Sequence, residues 1–342
     1  MRGRSFLRDL VIAIVALAIL LILPSIFPGA ALRDFAIYVF AYGLLAMSLN
    51  LLIGYTGLVS FGHAAYFAMG AYSFGILMQS GNFGMPAAFV LTVGITAFTA
   101  LVIGAICVRL KEIYFAFLTL AFQMLIHSTI LTWVRLTGGD QGLMGGIPRP
   151  PFWGISLANP HTFYAACAIL FICGIFVLRQ VAESPFGYTL RMIRDNPERA
   201  QFLGVNVIVA KLIAFVVAGT IAGMGGIILA LFASGAYPEF AFWTTSGEAI
   251  FMIMLGGSQV FLGPLLGAVI LHTLEHYVTI FAEHYGLVLG IVILIAVLGL
   301  RRGIADFVLE WWQDRKSRTD KAAADKASSE APSQIARDPM GN

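Results

Sequence analysis

Ten apolar runs, each close to the length that crosses a lipid bilayer, take up most of this 342-residue chain. They lie at about residues 10–27, 34–53, 58–80, 86–108, 113–134, 161–179, 211–233, 247–263, 264–282 and 286–300. Such a chain has too little polar surface to fold in water. Its residues are 59% hydrophobic and 11% charged, against about 25% charged in soluble domains. In hydrocarbon every backbone N–H and C=O needs an internal partner, so runs of this length must span as helices. The expected fold is an all-α polytopic membrane protein of about ten transmembrane helices. Only Gly263-Pro264 separates the eighth run from the ninth, so two crossings and one re-entrant pair would look alike.

Lys and Arg positions set the orientation. With ten crossings, the N-terminus, Arg109 with Lys111, the stretch from Arg179 to Lys211 and everything after Arg301 share one side. Of the 21 basic residues only Arg33, Arg135 and Arg149 lie opposite. This asymmetry puts both termini in the cytoplasm and agrees with an even number of crossings. The basic start and the run Leu10–Leu23 resemble a secretory signal, but the run continues past Pro24 to Phe27 and others follow, so it reads as an uncleaved first span. Cys107, Cys167 and Cys173 sit in apolar runs without metal-ligand spacing and read as apolar filler. The net charge of +3 is too small to point to a nucleic-acid partner.

One charged segment, Pro185–Lys211, lies between two long apolar runs and must project into water. Asp195 and Asn196 can cap a helix that Pro197 begins, and Gly204 can end it in a left-handed turn. Within it, Glu198-Arg199-Ala200-x-x-x-Gly204 resembles the Glu-Ala-Ala-x-x-x-Gly loop by which membrane subunits of ABC importers dock on their ATPases, with Arg199 in place of the central Ala. A solvated loop helix is the alternative. The coupling candidates are Arg191, Arg194, Asp195, Asn196, Glu198, Arg199, Ala200 and Gly204. The chain has no Gly-x-x-x-x-Gly-Lys-Ser/Thr phosphate loop, so it carries no cofactor of its own, and ATP with Mg would be bound by another subunit.

Two apolar stretches are interrupted by glycine. Asn50–Gly75 carries glycines at 54, 57, 62, 70 and 75, and Leu255–Ala268 contains Gly256, Gly257 and Ser258 before Gly263-Pro264. Broken segments at corresponding places in two halves mark a transport site at mid-membrane. These fall in spans three and eight, an odd offset that suits an inverted repeat. Close helix packing through glycine is the plainer reading. Asn50, Ser60, Gly62, His63, Tyr66, Gln123, Gly256, Gly257 and Ser258 are the translocation-path candidates.

His272-Thr-Leu-Glu275-His276 matches a His-x-x-Glu-His zinc-peptidase pattern. It sits in an apolar span, where a polar helix face inside the bundle accounts for it better than an intramembrane zinc hydrolase does. No metal is expected. Gln123 with His127 receives the same reading, and Glu248 reads as interfacial.

The segment Thr137–Pro160 is rich in Gly and Pro and reads as a connector or as a docking surface for an external partner. Ile304, Phe307, Val308 and Trp311 recur at helical spacing beside Arg301 and Arg302, which describes an interfacial helix. From Asp314 onward the composition is that of a disordered tail. The organisation expected is a permease domain at 1–313 and a tail at 314–342. Within the domain lie a cytoplasmic loop at about 181–210, an external loop at about 136–160 and an interfacial helix at about 301–313.

These segments together resemble the LivM-type permease family of branched-chain amino-acid ABC importers. The resemblance covers about Phe35 to Phe307. It is carried by Gly54-Tyr-Thr-Gly-Leu-Val-Ser-Phe-Gly-His-Ala-Ala-Tyr-Phe67, Thr137-Gly-Gly-Asp-Gln-Gly-Leu143, Arg191–Gly204 and Leu255-Gly-Gly257. The resemblance implies a transport subunit, not an enzyme, in a bacterial inner membrane. Its implied partners are a related second permease, two cytoplasmic ATPase subunits and a periplasmic binding protein. Relatives that carry urea or short amides keep the substrate class open.

Overall fold

A computed structural model describes residues 2–26, 29–149 and 157–281, five residues between 287 and 294, and residues 303–307. In chain order the helices are α1 (Arg2–Ile26), α2 (Ala30–Thr56), α3 (Ala64–Gln79), α4 (Met85–Cys107), α5 (Glu112–Thr132), α6 (Val134–Thr137), α7 (Pro160–Ala182), α8 (Pro185–Asp195), α9 (Pro197–Phe202), α10 (Val207–Ala233), α11 (Trp243–Gly256) and α12 (Gly263–Phe281). Among the described residues the only strand-like pairing is an isolated bridge between Leu143 and Ala236. Six helices, α1, α2, α4, α5, α7 and α10, are long and apolar enough to cross a membrane. The tenth expected span is described at only a few positions. Residues 308–342, with most of the expected interfacial helix and all of the tail, lie outside the described residues.

Two 27-residue helices, α2 and α10, form the centre of the bundle and are its most enclosed spans. Each ends in a left-handed residue, Gly57 at φ +73° and Ser234 at φ +52°, and each is followed by an irregular stretch and a shorter helix. After α2 come residues 57–63 and the 16-residue α3; after α10 come residues 234–242 and the 14-residue α11. The sequence pairs Asn50–Gly75 with Leu255–Ala268, but the break in the corresponding place lies at 234–242. Residues 257–262 instead turn α11 into α12 on the basic face. Gly256 and Gly263 let that hairpin close, because a Cβ on Gly256 would overlap the Gly263 carbonyl.

Glycines on α10 set how near its neighbours come. A Cβ on Gly225 would lie 2.6 Å from the Ala41 carbonyl oxygen of α2, and one on Gly223 2.7 Å from Thr96 of α4. A Cβ on Gly226 would overlap the Phe67 carbonyl of α3. Small residues at crossings replace the hydrophobic drive that lipid cannot supply. The outward faces of α1, α4 and α5 carry exposed Leu, Ile, Val and Phe, as lipid contact requires. α1 is fastened to α7, where Arg179 pairs with Asp9 at 3.2 Å and Arg8 with Glu183 at 3.5 Å.

The long loop after α6 is tied to the bundle through Gly146. The Gln79 side-chain amide donates to the Met144 and Gly146 carbonyls, each at 3.1 Å, and Leu143 N–H donates to the Ala236 carbonyl at 2.8 Å. Arg149 donates to the Leu231 carbonyl and to Ser234 Oγ, with its guanidinium 4.3 Å from the Phe163 ring centre. The described part of this loop is therefore a fitted cover over the end of α10.

Candidate functional site

The charged segment on the basic face folds as two helices. Ser184 Oγ accepts from Gly187 N–H and starts α8; Asn196 Oδ1 accepts from Arg199 N–H at 2.8 Å and starts α9 behind Pro197. Asp195 does not cap but pairs with Arg194 at 3.4 Å. α9 closes through two bonds, Gly204 N–H to the Gln201 carbonyl and Val205 N–H to the Ala200 carbonyl, with Gly204 at φ +85°. That is the Schellman ending, which favours glycine at this position. Leu190, Ile193 and Ala200 are buried and anchor the platform, while Glu198 and Arg199 are exposed. Phe202 is 91% exposed and Leu203 68% exposed.

Of the three arginines singled out in the sequence, Arg191 and Arg194 point inward, while Arg199 is exposed. Arg194 donates to the Gly54 carbonyl near the C-terminal end of α2, and the Arg191 guanidinium lies 4.8 Å from the Tyr55 ring centre. The platform is thus bonded to the end of a central helix, where cations also meet the negative pole of the helix dipole. Four residues earlier on α2, Asn50 Nδ2 donates to the Ser258 carbonyl at 3.2 Å. A Cβ on Gly54 would lie 2.7 Å from that carbonyl. Behind Ser258, the buried Asp306 carboxylate accepts from Gln259 N–H at 3.3 Å and Val260 N–H at 3.0 Å. A Cβ on Gly257 would meet that carboxylate at 2.7 Å. α8, the end of α2, the α11–α12 turn and residues 303–307 therefore form one bonded unit. Asp306→Ala should strip two backbone donors of a charged acceptor and cost about 1.5–3 kcal/mol. The check is thermal melting of the purified chain, where Asp306→Asn, which keeps an acceptor, should lose less.

A second polar group lies deeper, where the two breaks meet. Ser48 Oγ donates to the Leu45 carbonyl, so it accepts from His63 Nε2 at 2.9 Å. Ser48 stands eight residues before the end of α2, so α3 begins about 12 Å inside the bundle. Ala64 N–H, at the start of α3, donates to Ser246 Oγ at 2.9 Å, and Ser246 Oγ donates to Gln123 Oε1 at 2.8 Å. Gln123 Nε2 then donates to the Ala241 carbonyl at 3.2 Å. One step along α5, the His127 imidazole N–H donates to the Pro238 carbonyl at 3.1 Å. Ser60 Oγ accepts from Gly62 N–H, a Cβ on Gly62 would overlap the Thr119 carbonyl, and Tyr66 meets Phe215 edge-on at 5.6 Å.

The path candidates thus fall into two clusters. His63, Gln123, Ser60, Gly62 and Tyr66 gather at the deep junction; Asn50, Gly256, Gly257 and Ser258 gather on the basic face. In this conformation they are ties between helices. The sequence reading did not name Ser48, Ser246, Asp306, Phe202 or Leu203. A serine beside glycine and aromatic residues gives no signal until the helix opposite it is known.

In the His-x-x-Glu-His motif, His272 Nδ1 and Glu275 Oε2 pair at 3.1 Å. Among the described residues no three His, Cys, Asp or Glu side chains gather around one metal position. Cys107 and Cys167 are buried thiols, whereas Cys173 is exposed.

Continuous and broken apolar helices around a polar junction, with a capped platform on the basic face, make up the architecture of a membrane permease. Residues 31–298 match the family of branched-chain amino acid transport system permease components, and the chain belongs to that family. It is similar to the high-affinity branched-chain amino acid transport system permease protein LivM of Salmonella typhimurium, 24% identical over 294 residues, or 79% of this chain and 69% of that protein. LivM of Escherichia coli is 24% identical over 314 residues, covering 84% of this chain and 74% of that protein. A probable branched-chain amino acid transport permease protein, LivH of Methanocaldococcus jannaschii, is 24% identical over 283 residues, covering 75% and 85%. No solved structure matches the chain.

Proposed function

We propose that this chain is one membrane subunit of an ATP-driven importer that moves branched-chain or other hydrophobic amino acids inward across a bacterial inner membrane. The observation that carries the proposal is α9. A rigid, doubly capped helix presents Phe202 and Leu203 to water on the face where the Lys and Arg residues concentrate. Large apolar side chains held so far out of the fold are anchors for a partner protein. The basic face is the cytoplasmic face under the positive-inside rule, which makes a cytoplasmic ATPase the partner. Nine of the described helices then count as crossings, and the run at 286–300 is the tenth, with both termini inside.

In this reading ATP and Mg are bound by two cytoplasmic ATPase subunits, a related permease completes the membrane unit, and a periplasmic binding protein delivers the amino acid. Movement of α9 reaches α2 through Arg194 and Gly54, and reaches the α11–α12 turn through Asn50 and Ser258. The deep junction of His63, Gln123 and Ser246, between the starts of α3 and α11, is where the path opens when the two halves separate. The loop through Gly146 is the surface the binding protein meets.

The test is reconstitution of the chain with its partners in lipid vesicles. Gly204→Val places a β-branched residue at positive φ, at about 1–2 kcal/mol, and Glu198→Lys reverses an exposed charge on the docking face. Both variants should insert normally, yet lose most of the ATPase stimulation by loaded binding protein and most of the uptake. Variants that assemble and transport like the unaltered chain would remove α9 from the coupling path.

A further inference from the structure

The two breaks in the bundle are finished differently. At 234–242 the chain answers its own backbone. The Ala236 carbonyl takes Leu143 N–H, the Pro238 carbonyl takes His127 and the Ala241 carbonyl takes Gln123. Ala236 and Ala241 are fully buried. At 57–63 the chain provides no such cover. Among the described residues no hydrogen bond reaches the N–H groups of Val59, Ser60 and Phe61, or the carbonyls from Gly57 to Phe61.

Burial alternates along this segment. Leu58 and Ser60 are buried, whereas Gly57, Val59 and Phe61 are exposed. A period of two is that of extended backbone. An extended stretch with unpaired backbone groups, bearing two large apolar side chains that are each 39% exposed, is therefore left uncovered.

Depth decides what can cover it. The segment starts at the end of α2, where a Cβ on Gly57 would lie 3.1 Å from Arg194 of the platform. It rises to His63, which bonds Ser48 about 12 Å inside the bundle. Lipid is excluded as the cover, because hydrocarbon offers irregular backbone neither donors nor acceptors. An ATPase held at α9 stays in water and does not reach Phe61, two residues from the deep end. Water would wet the backbone but leave Val59 and Phe61 together as a bare apolar patch. A protein embedded in the membrane meets both needs, with apolar side chains for the patch and hydroxyl or amide groups for the backbone.

We propose that residues 57–61 are a contact on which the second permease subunit packs. This rests on the importer reading and adds the surface that joins the two membrane subunits. The contact lies between the platform and the deep junction, so a shift between the subunits acts directly on His63 and the start of α3.

The experiment uses the full chain co-expressed with the related permease and the ATPases, with p-benzoylphenylalanine replacing Val59 or Phe61. Irradiation in native membranes should join this chain to the second permease, identified by peptide mass. Phe98, 67% exposed on the lipid side of α4, is the control position and should give no permease adduct. Phe61→Arg should lower the second permease recovered with the chain at least tenfold, with the melting temperature of the lone chain unchanged. Phe61→Leu, which keeps an apolar side chain, should restore recovery. Adducts only with lipid, with the ATPase or with a second copy of this chain overturn the proposal. So does labelling of Val59→Cys by a water-soluble maleimide as fast in the assembled complex as in the lone chain, which would mean that the segment lines water. Copurification separates the two readings. A second permease that copurifies with the unaltered chain yet forms no adduct discards this contact alone. An adduct with a permease whose complex carries no amino acid discards the importer alone, and a chain that brings down no second permease overturns both.

Discussion

Phe202→Asp is expected to leave the chain inserted and folded while stripping the ATPase from the purified complex. The side chain is 91% exposed and packs on almost nothing in its own subunit. Substitutions at such surface positions usually change stability by about 0.5 kcal/mol or less. The same residue as a buried aromatic anchor of an interface would be worth about 2–4 kcal/mol, or roughly 30- to 1,000-fold in affinity. A carboxylate adds the cost of losing its water at the contact. Melting temperature and the amount of ATPase retained on gel filtration separate the two effects. ATPase that stays bound at unchanged affinity would show that Phe202 lies outside the contact.

Gly226→Val should have the largest effect on the fold itself. A Cβ there would overlap the Phe67 carbonyl oxygen and come within 2.8 Å of its carbon and 3.0 Å of Ala71 N. These are backbone atoms, so no rotamer change relieves them, and α3 would have to move away from α10. The start of α3 holds the Ala64–Ser246 bond and His63, so displacement there breaks the deep junction as well. Overpacking costs about 1–3 kcal/mol where side chains can adjust, and a backbone clash should meet or exceed that upper value. Gly94→Ala is the control: nothing lies within 4 Å of its Cβ position, and an added methyl in an open helix stabilises by about 0.5–1 kcal/mol. Melting of the purified chain should fall sharply for the first and hold or rise for the second. A Gly226→Val chain that melts like the unaltered one would mean the α3–α10 crossing is looser than described.

The features legible in the sequence are those set by neighbours along the chain. Apolar run length located α2, α4, α5, α7 and α10 because a helix in lipid must satisfy its own backbone. Asn196, Pro197 and Gly204 announced α9, since caps act within one turn. The pairing of the two breaks was not legible: Ser234-Gly-Ala-Tyr-Pro-Glu-Phe-Ala-Phe242 reads as a plain connector. Its place opposite residues 57–63 depends on Gln123, which lies more than a hundred residues away. Asp306 likewise reads as part of an interfacial helix, and only the fold brings it to Gln259 and Val260. Phe202 and Leu203 look like the buried face of a short helix until Ala200 is found to hold that face. Arg191 and Arg194 belong to the expected ATPase-coupling loop, and only the fold shows that they also reach Tyr55 and the Gly54 carbonyl of α2.

The measurement that tests the central claim most directly is uptake of radiolabelled L-leucine into vesicles containing this chain, the second permease and the ATPases. ATP is sealed on the side of α9, and binding protein is supplied on the other. Uptake should require both, should stop when Phe202→Asp releases the ATPase, and should be indifferent to proton or sodium gradients. Uptake at full rate without the ATPase subunits, driven by an ion gradient alone, would contradict the account.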